Sequence, residues 1–301
     1  MIKDCVIITG PTAVGKSEIA VDVAKNLGGE IISADSMQIY KGLNIGSGKI
    51  KEEDMQGIPH HLLDIKNIND SYCVANFCED AKSLLLDISS RDKVPIIVGG
   101  TGLYIKALVS NYDYGGVQCN EAIRNELEKI AEEKGLEFLY EELKKNAPER
   151  AEKISPNDKK RIIRALEIFL QNSSEIKSKI QVDYNYKIFV LNMDRKCLYE
   201  RINRRVEMMF ENGLLEEFES LLSKGYKRES LSGKGIGYAE LFDYKEGKIS
   251  YAEAVDKIKQ HSRNYAKRQL TFFRSMQDTI YIDASIKNKA VLDILNEVKN
   301  G

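Results

Sequence analysis

Gly10-Pro11-Thr12-Ala13-Val14-Gly15-Lys16-Ser17 decides the fold. An apolar run, Cys5-Val6-Ile7-Ile8, precedes it, and the spacing of Glu18-Ile19-Ala20-Val21-Asp22-Val23-Ala24 after it predicts a helix. Strand, glycine loop and helix form the setting of a phosphate-binding loop. Gly10 and Gly15 let the chain turn so that successive N–H groups point inward, and the helix N-terminus adds partial positive charge. Lys16 supplies a point cation for phosphate oxygens, and the Ser17 hydroxyl stands where such loops ligate Mg²⁺. The motif indicates a di- or triphosphate without fixing the reaction.

Outward from the loop, the chain alternates strands and helices. Gly28-Gly29 closes the first helix, and Glu30-Ile31-Ile32-Ser33 reads as a strand running into Ala34-Asp35-Ser36-Met37-Gln38. Ligands of parallel sheets sit at the carboxyl ends of strands, so Asp35 either faces the phosphate site or caps the next turn. Gly42-Leu43-Asn44-Ile45-Gly46-Ser47-Gly48 reads as a flexible loop. His60 and His61 are adjacent, which argues against a shared zinc ligand set and for a strand beside the sheet. Asp70-Ser71 is expected to cap a helix over 73–90. Pro95-Ile96-Ile97-Val98 is a buried strand ending in Gly99-Gly100-Thr101, where ATP-hydrolysing proteins place an acidic residue. Thr101 therefore offers a hydroxyl beside a ligand or a plain helix cap.

The pattern breaks near 110–120, which reads as a hinge into an all-helical insert over 111–188, with the core formed by 1–110 and 189–301. Asn120 caps a helix over 121–134, 136–146 is a second, and Ser155-Pro156-Asn157 starts a third whose core face is Ile162, Leu166 and Phe169. Lys159, Lys160, Arg161 and Arg164 crowd its first turns against the helix dipole, pointing either to an anionic partner or to a solvated face. After a strand over 186–191, Asp194 caps a long helix carrying Arg201, Arg204 and Arg205. Ser250 caps the longest helix, on which Gln260, Arg263, Lys267 and Arg274 share a face. The fold class is α/β: a P-loop NTPase-like parallel sheet flanked by helices, with a helical insertion domain.

With 301 residues the chain is long enough for two lobes, and a net charge of −1 requires any nucleic-acid site to be a local patch. No apolar run approaches the length of a membrane span, and strand-forming sequence starts too early for a signal peptide. Cys5, Cys73, Cys78, Cys119 and Cys197 form no CxxC pair and read as reduced cytoplasmic thiols.

Together, GPTAVGKS (10–17), ADSMQIYKGLNIGSGK (34–49), PHHLLDI (59–65), VGGTGLYIKALV (98–109), SPNDKKRIIRALEI (155–168), RINRRVEMMFENGLLEE (201–217), GIGYAEL (235–241) and NYAKRQLTFFR (264–274) resemble the bacterial tRNA dimethylallyltransferases, or tRNA isopentenyltransferases. The resemblance runs in family order over nearly the whole chain. It implies transfer of a dimethylallyl group from dimethylallyl diphosphate, with Mg²⁺, to N6 of the adenine 3′-adjacent to the anticodon, in tRNAs reading codons that begin with U. It places the general base on Asp35, a hydroxyl near the adenine amine on Thr101, and a diphosphate-holding arginine on Arg205 beside Gly10, Pro11, Thr12, Ala13, Val14, Gly15, Lys16 and Ser17. Contacts to the tRNA anticodon stem-loop would fall on Asp35, Ser36, Met37, Gln38, Thr101 and Arg124, and on Lys160, Arg161, Ile162, Ile163 and Arg164. They would continue on Lys234, Gly235, Ile236, Gly237, Tyr238 and Ala239, and on Lys267, Arg268, Gln269, Leu270, Thr271, Phe272, Phe273 and Arg274. A cytoplasmic monomer is expected. The chain departs from the family at Phe272, often Trp, and at Gly235, often Ala. Three rivals remain: a nucleoside or nucleotide kinase, a prenyltransferase acting on free AMP or ADP, and a non-catalytic RNA-binding module.

Overall fold

The structure, a computed structural model, describes residues 3–110, 120–171 and 184–299. The first part of the chain contributes β1 (Lys3–Thr9), α1 (Lys16–Leu27), β2 (Gly29–Ser33), α2 (Glu52–Met55), β3 (His60–His61), α3 (Val74–Ser90), β4 (Val94–Gly99) and α4 (Gly102–Val109). Four helices follow: α5 (Glu121–Lys134), α6 (Leu136–Asn146), α7 (Pro148–Ala151) and α8 (Lys159–Leu170). The chain then returns with β5 (Tyr184–Asn192), α9 (Arg195–Glu211), α10 (Leu214–Ser223), α11 (Arg228–Leu231), α12 (Tyr238–Lys245), α13 (Tyr251–Arg274), β6 (Thr279–Asp283) and α14 (Lys287–Lys299).

The six strands form one sheet in the order β3-β2-β4-β1-β5-β6, and every neighbouring pair is parallel. Parallel strands need both faces covered, hence their near-continuous apolar runs. On one face, Val6, Ile8, Ile96 and Phe189 pack with side chains of α1, α9 and α14. On the other, Ile7, Ile32, Ile97 and Ile188 pack with Phe77, Leu85, Ile105 and Phe273 from α3, α4 and α13. Helices α5 to α8 enclose a core of their own around Leu127, Leu139, Leu143, Ile162 and Leu166. A further cluster joins Ile39, Tyr40 and Leu43 to Phe218, Leu221, Tyr238 and Leu241.

Register places the ends of three central strands side by side, with Thr9 opposite Gly99 and Ser33 opposite Val98. Gly99 is required here, because a Cβ would strike the Ala34 carbonyl oxygen. The chain leaving β2 is pinned across β4 by Ala34 N–H to Val98 O at 2.7 Å and Thr101 N–H to Ala34 O at 3.2 Å.

Several local readings change. The α3 cap is Cys73, paired with Asn76, rather than Asp70-Ser71. Helix α8 is capped by Asp158, whose carboxylate accepts from Arg161 N–H. Phe169 is 41% exposed, and its expected place inside is taken by Ile163, Ala165 and Glu167. The boundary read at 188/189 falls inside β5, which begins at Tyr184. Of the hinge expected near 110–120, residues 111–119, Cys119 among them, lie outside the described residues. His60 and His61 form edge strand β3: His60 Nδ1 bonds the Ile58 carbonyl and His61 Nε2 bonds Glu30.

Candidate active site

A cavity of about 1160 Å³ opens at the carboxyl edge of the sheet, beside the Gly10–Ser17 loop. Gly15, at φ 101°, turns the chain into α1, so that Lys16 and Ser17 begin the helix and line the cavity. Gly10, at φ 141°, lets the loop pass close to the Leu191 carbonyl, where a Cβ would lie only 2.5 Å from the oxygen.

The Lys16 ammonium donates to the carbonyls of Gly10 at 3.0 Å and Pro11 at 2.8 Å. Burial, reinforced by the charge of Arg205 and opposed by Asp35, brings its pKa down to about 7. Burial likewise lowers Arg205, with Asp35 opposing. Among the described residues neither cation has a carboxylate at ion-pair distance, although Asp35 is near enough to bias both. A buried ammonium at a helix N-terminus, with a second cation beside it, is an arrangement suited to an anion. Arg201 and Arg204, on the same helix α9, also line the cavity.

Asp35 both closes a turn and lines the cavity. Its Oδ1 accepts from the Met37 N–H at 2.8 Å and the Gln38 N–H at 3.4 Å, closing a turn, while its side chain lines the cavity. Its Oδ2 has no hydrogen-bond partner among the described residues. Thr101 precedes α4 without capping it. Its hydroxyl accepts from the Ser36 N–H at 3.1 Å and donates to the Ser36 hydroxyl at 3.4 Å, which fixes the Asp35–Ser36 turn from behind.

The remaining candidate residues divide. Lys160, Arg268, Gly235, Ile236, Ser36, Met37 and Gln38 line the cavity. Arg161, Lys267, Thr271 and Arg274 are exposed. Lys234 lies over the Tyr40 ring, 3.7 Å from its centroid, and Ala239 is half-buried. Other members of these stretches point inward. Ile162 and Ile163 belong to the insert core, Phe273 to the sheet core, and Tyr238 is buried. Leu270 and Phe272 are half-buried; the Phe272 ring covers Gly102 and meets Phe273 edge-on. Gly237 is buried, its N–H given to Glu240 at 3.0 Å. Arg124 and Arg164 both bond the fully buried Glu167 carboxylate, at 2.9 and 2.8 Å.

Gln269 is 6% exposed and has a different task from its neighbours. Its amide oxygen accepts from the Thr12 N–H and its amide nitrogen donates to the Gly100 carbonyl, both at 2.9 Å, so α13 is stitched to the phosphate loop and to the end of β4. Tyr265, one turn earlier, also lines the cavity and was not singled out from the sequence. The i, i+4 spacing of Tyr265 and Gln269 was the available signal: it defines a second face of α13 beside the cationic one. Glu217 was also missed. It accepts from the backbone of Asn44, Ile45 and Gly46, so the loop read as flexible is held in place.

The IPP transferase family profile matches residues 38–276. A curated tRNA dimethylallyltransferase of an Exiguobacterium strain is 47% identical over 284 residues, 94% of this chain and 91% of that protein. The crystal structure of a full-length tRNA isopentenylpyrophosphate transferase from Bacillus halodurans superposes with a TM-score of 0.74 at 41% identity, covering 99% of this chain and 96% of the other. A eukaryotic dimethylallyltransferase, captured acting on tRNA, superposes with a TM-score of 0.80 at 27% identity, covering 98% of this chain and 77% of that one.

Proposed function

The chain belongs to the IPP transferase family, and from that premise we propose that it moves a dimethylallyl group from dimethylallyl diphosphate to N6 of the adenine 3′-adjacent to the anticodon, in tRNAs reading codons that begin with U. One observation carries the reading: Lys16 and Arg205 line one cavity with Asp35, and among the described residues no carboxylate pairs with either.

An allylic C–O bond breaks readily when the departing diphosphate is stabilised. Lys16, Arg205 and the N–H groups of Gly10 to Ser17 stabilise that leaving group. Adenine N6 is a weak nucleophile because its lone pair is delocalised into the ring. As N6 bonds the allylic carbon, Asp35 Oδ2 takes the amine proton, a contribution of about 10²–10⁴-fold. The products are N6-(dimethylallyl)adenosine and diphosphate. Thr101 holds Ser36, and through it the Asp35 turn, beside the position of the amine. We assign Mg²⁺ to Ser17, which lines the cavity and has no side-chain hydrogen bond among the described residues. Bound there, the ion would neutralise diphosphate charge.

Adenine must leave its stack to reach this depth. Lys160 and Arg268, which line the cavity, and Arg161, Lys234, Lys267 and Arg274 on the same stretches are the phosphate contacts we assign. No described helix is long and apolar enough to cross a membrane, and we assign a cytoplasmic monomer.

The test is one incubation of protein, Mg²⁺, dimethylallyl diphosphate and an unmodified tRNA with three adenines spanning the anticodon's 3′ end, followed by digestion and mass spectrometry. Parallel reactions contain AMP in place of tRNA, or ATP in place of the prenyl donor. Prenylated adenosine from the tRNA reaction alone is expected. Prenylated AMP, or ATP turnover without prenylation, would overturn the assignment.

A further inference from the structure

Glu217 stands on α10, outside the cavity, yet four donors converge on its carboxylate. Oε2 accepts from the N–H groups of Asn44 at 2.8 Å and Ile45 at 2.7 Å. Oε1 accepts from the Gly46 N–H at 3.0 Å and the Tyr238 hydroxyl at 2.8 Å. Successive N–H groups aimed at one point normally form a nest for a bound anion. Here the anion is the protein's own side chain.

Two walls of the cavity therefore meet on one carboxylate. The first wall is Gly46-Ser47-Gly48. The second is the Gly235-Ile236 stretch that leads into Tyr238. Both glycines of the first wall are sterically committed. A Cβ at Gly46 would strike the Tyr238 hydroxyl, and a Cβ at Gly48, which has φ 61°, would strike the Arg205 guanidinium. Gly48 is placed in turn by its own N–H to the Ile45 carbonyl at 2.9 Å. Its carbonyl accepts from Gln38 Nε2 at 3.3 Å. A continuous path runs from Glu217, through the backbone of Asn44 to Gly46, to the surface against which Arg205 rests.

We propose that Glu217 is a positioning residue for the diphosphate site, acting through the Gly46–Gly48 wall on Arg205. The inference rests on the functional reading above. Among the described residues no carboxylate pairs with Arg205 to aim its guanidinium, so its direction depends on what it packs against, and Gly48 lies directly beneath it. The site calls for a group that accepts at both oxygens. An acceptor with about four lone-pair sites serves four donors, whereas an amide would turn its own N–H₂ toward backbone N–H groups.

The experiment is titration of inorganic diphosphate into wild type, Glu217→Gln, Arg205→Lys and the double variant, by calorimetry, with thermal unfolding of each. Glu217→Gln is expected to weaken diphosphate binding about tenfold or more while remaining folded. In the Arg205→Lys background the same change is expected to add less than about twofold, since both act on one contact. Glu217→Asp keeps the charge but withdraws it by one methylene, and is expected to lose about threefold to tenfold. It also carries the test if Glu217→Gln does not fold. A role in stability alone would lower the unfolding temperature and leave diphosphate affinity at the wild-type value, which would overturn the proposal. Full additivity with Arg205→Lys would overturn it too. Wild-type protein that binds no diphosphate would overturn the functional reading first, and this inference with it.

Discussion

Two sets of helical cations look alike in sequence and differ in the fold. In the insert, Arg124 and Arg164 close on the buried carboxylate of Glu167, which also takes the Asn120 N–H at 2.7 Å. Burial pushes the Glu167 carboxyl up, but Arg164, the Asn120 N–H and Arg124 outweigh it and hold the group below the usual range. In the cavity, Lys16 and Arg205 lie near Asp35 without an ion pair among the described residues. One acid is satisfied by its cations; the other keeps an oxygen in reserve. A charge cluster that completes itself serves folding, whereas one left incomplete is available to a ligand.

Asp35→Ala tests the contrast hardest. It should lower the single-turnover rate at least about a hundredfold while leaving tRNA affinity within about threefold. It should cost no more stability than a lost turn cap, about 1 kcal/mol. Near-normal turnover would remove Asp35 as the base.

Glu167→Ala should do the reverse. Breaking a buried pair from one side costs roughly 3–5 kcal/mol, but Arg124 and Arg164 are 36% and 29% exposed, so about 2–3 kcal/mol is expected by denaturant unfolding. Diphosphate binding should not change. A stable variant with impaired diphosphate binding would erase the distinction between the clusters.

A subtler effect is titration. Lys16 in the native chain loses its proton near pH 7, against 10.5 for an ordinary lysine. Between those values the unfolded chain binds the extra proton, so stability should rise with pH across the window. Diphosphate binding needs the ammonium, so affinity should fall above pH 7, by up to about tenfold per pH unit, in calorimetric titrations. Affinity that is flat from pH 7 to 9 would show that Lys16 stays charged.

Lys267→Ala is the smallest change. It should weaken tRNA binding and reduce the log–log salt slope by about one. An unchanged slope would remove this face of α13 from the RNA interface.

The parallel sheet, and the placing of the Gly10–Ser17 loop and Asp35 at one cavity, were legible because each follows from neighbours in the chain: apolar run, glycine spacing, strand end. Glu167 was not legible. An acid among Ile162, Ile163 and Leu166 reads as a surface position until Arg124, 43 residues away, is seen to meet it. The same error turned Phe169 inward on paper. Gln269 lay inside a stretch rich in cations and was read with them, yet its partner Thr12 is 257 residues away. Glu217 closes a loop 171 to 173 residues distant. Periodicity reports which side of a helix is apolar, not which distant backbone group a single polar side chain will satisfy.

The Gln269 amide has one more effect. By accepting from the Thr12 N–H it does for the phosphate loop what a water molecule would otherwise do, and does so from a rigid helix. The loop therefore keeps its shape before any anion arrives. On the proposed function, a phosphate oxygen reaching that N–H would exchange one acceptor for another rather than strip off a water, so little reorganisation is expected there on binding.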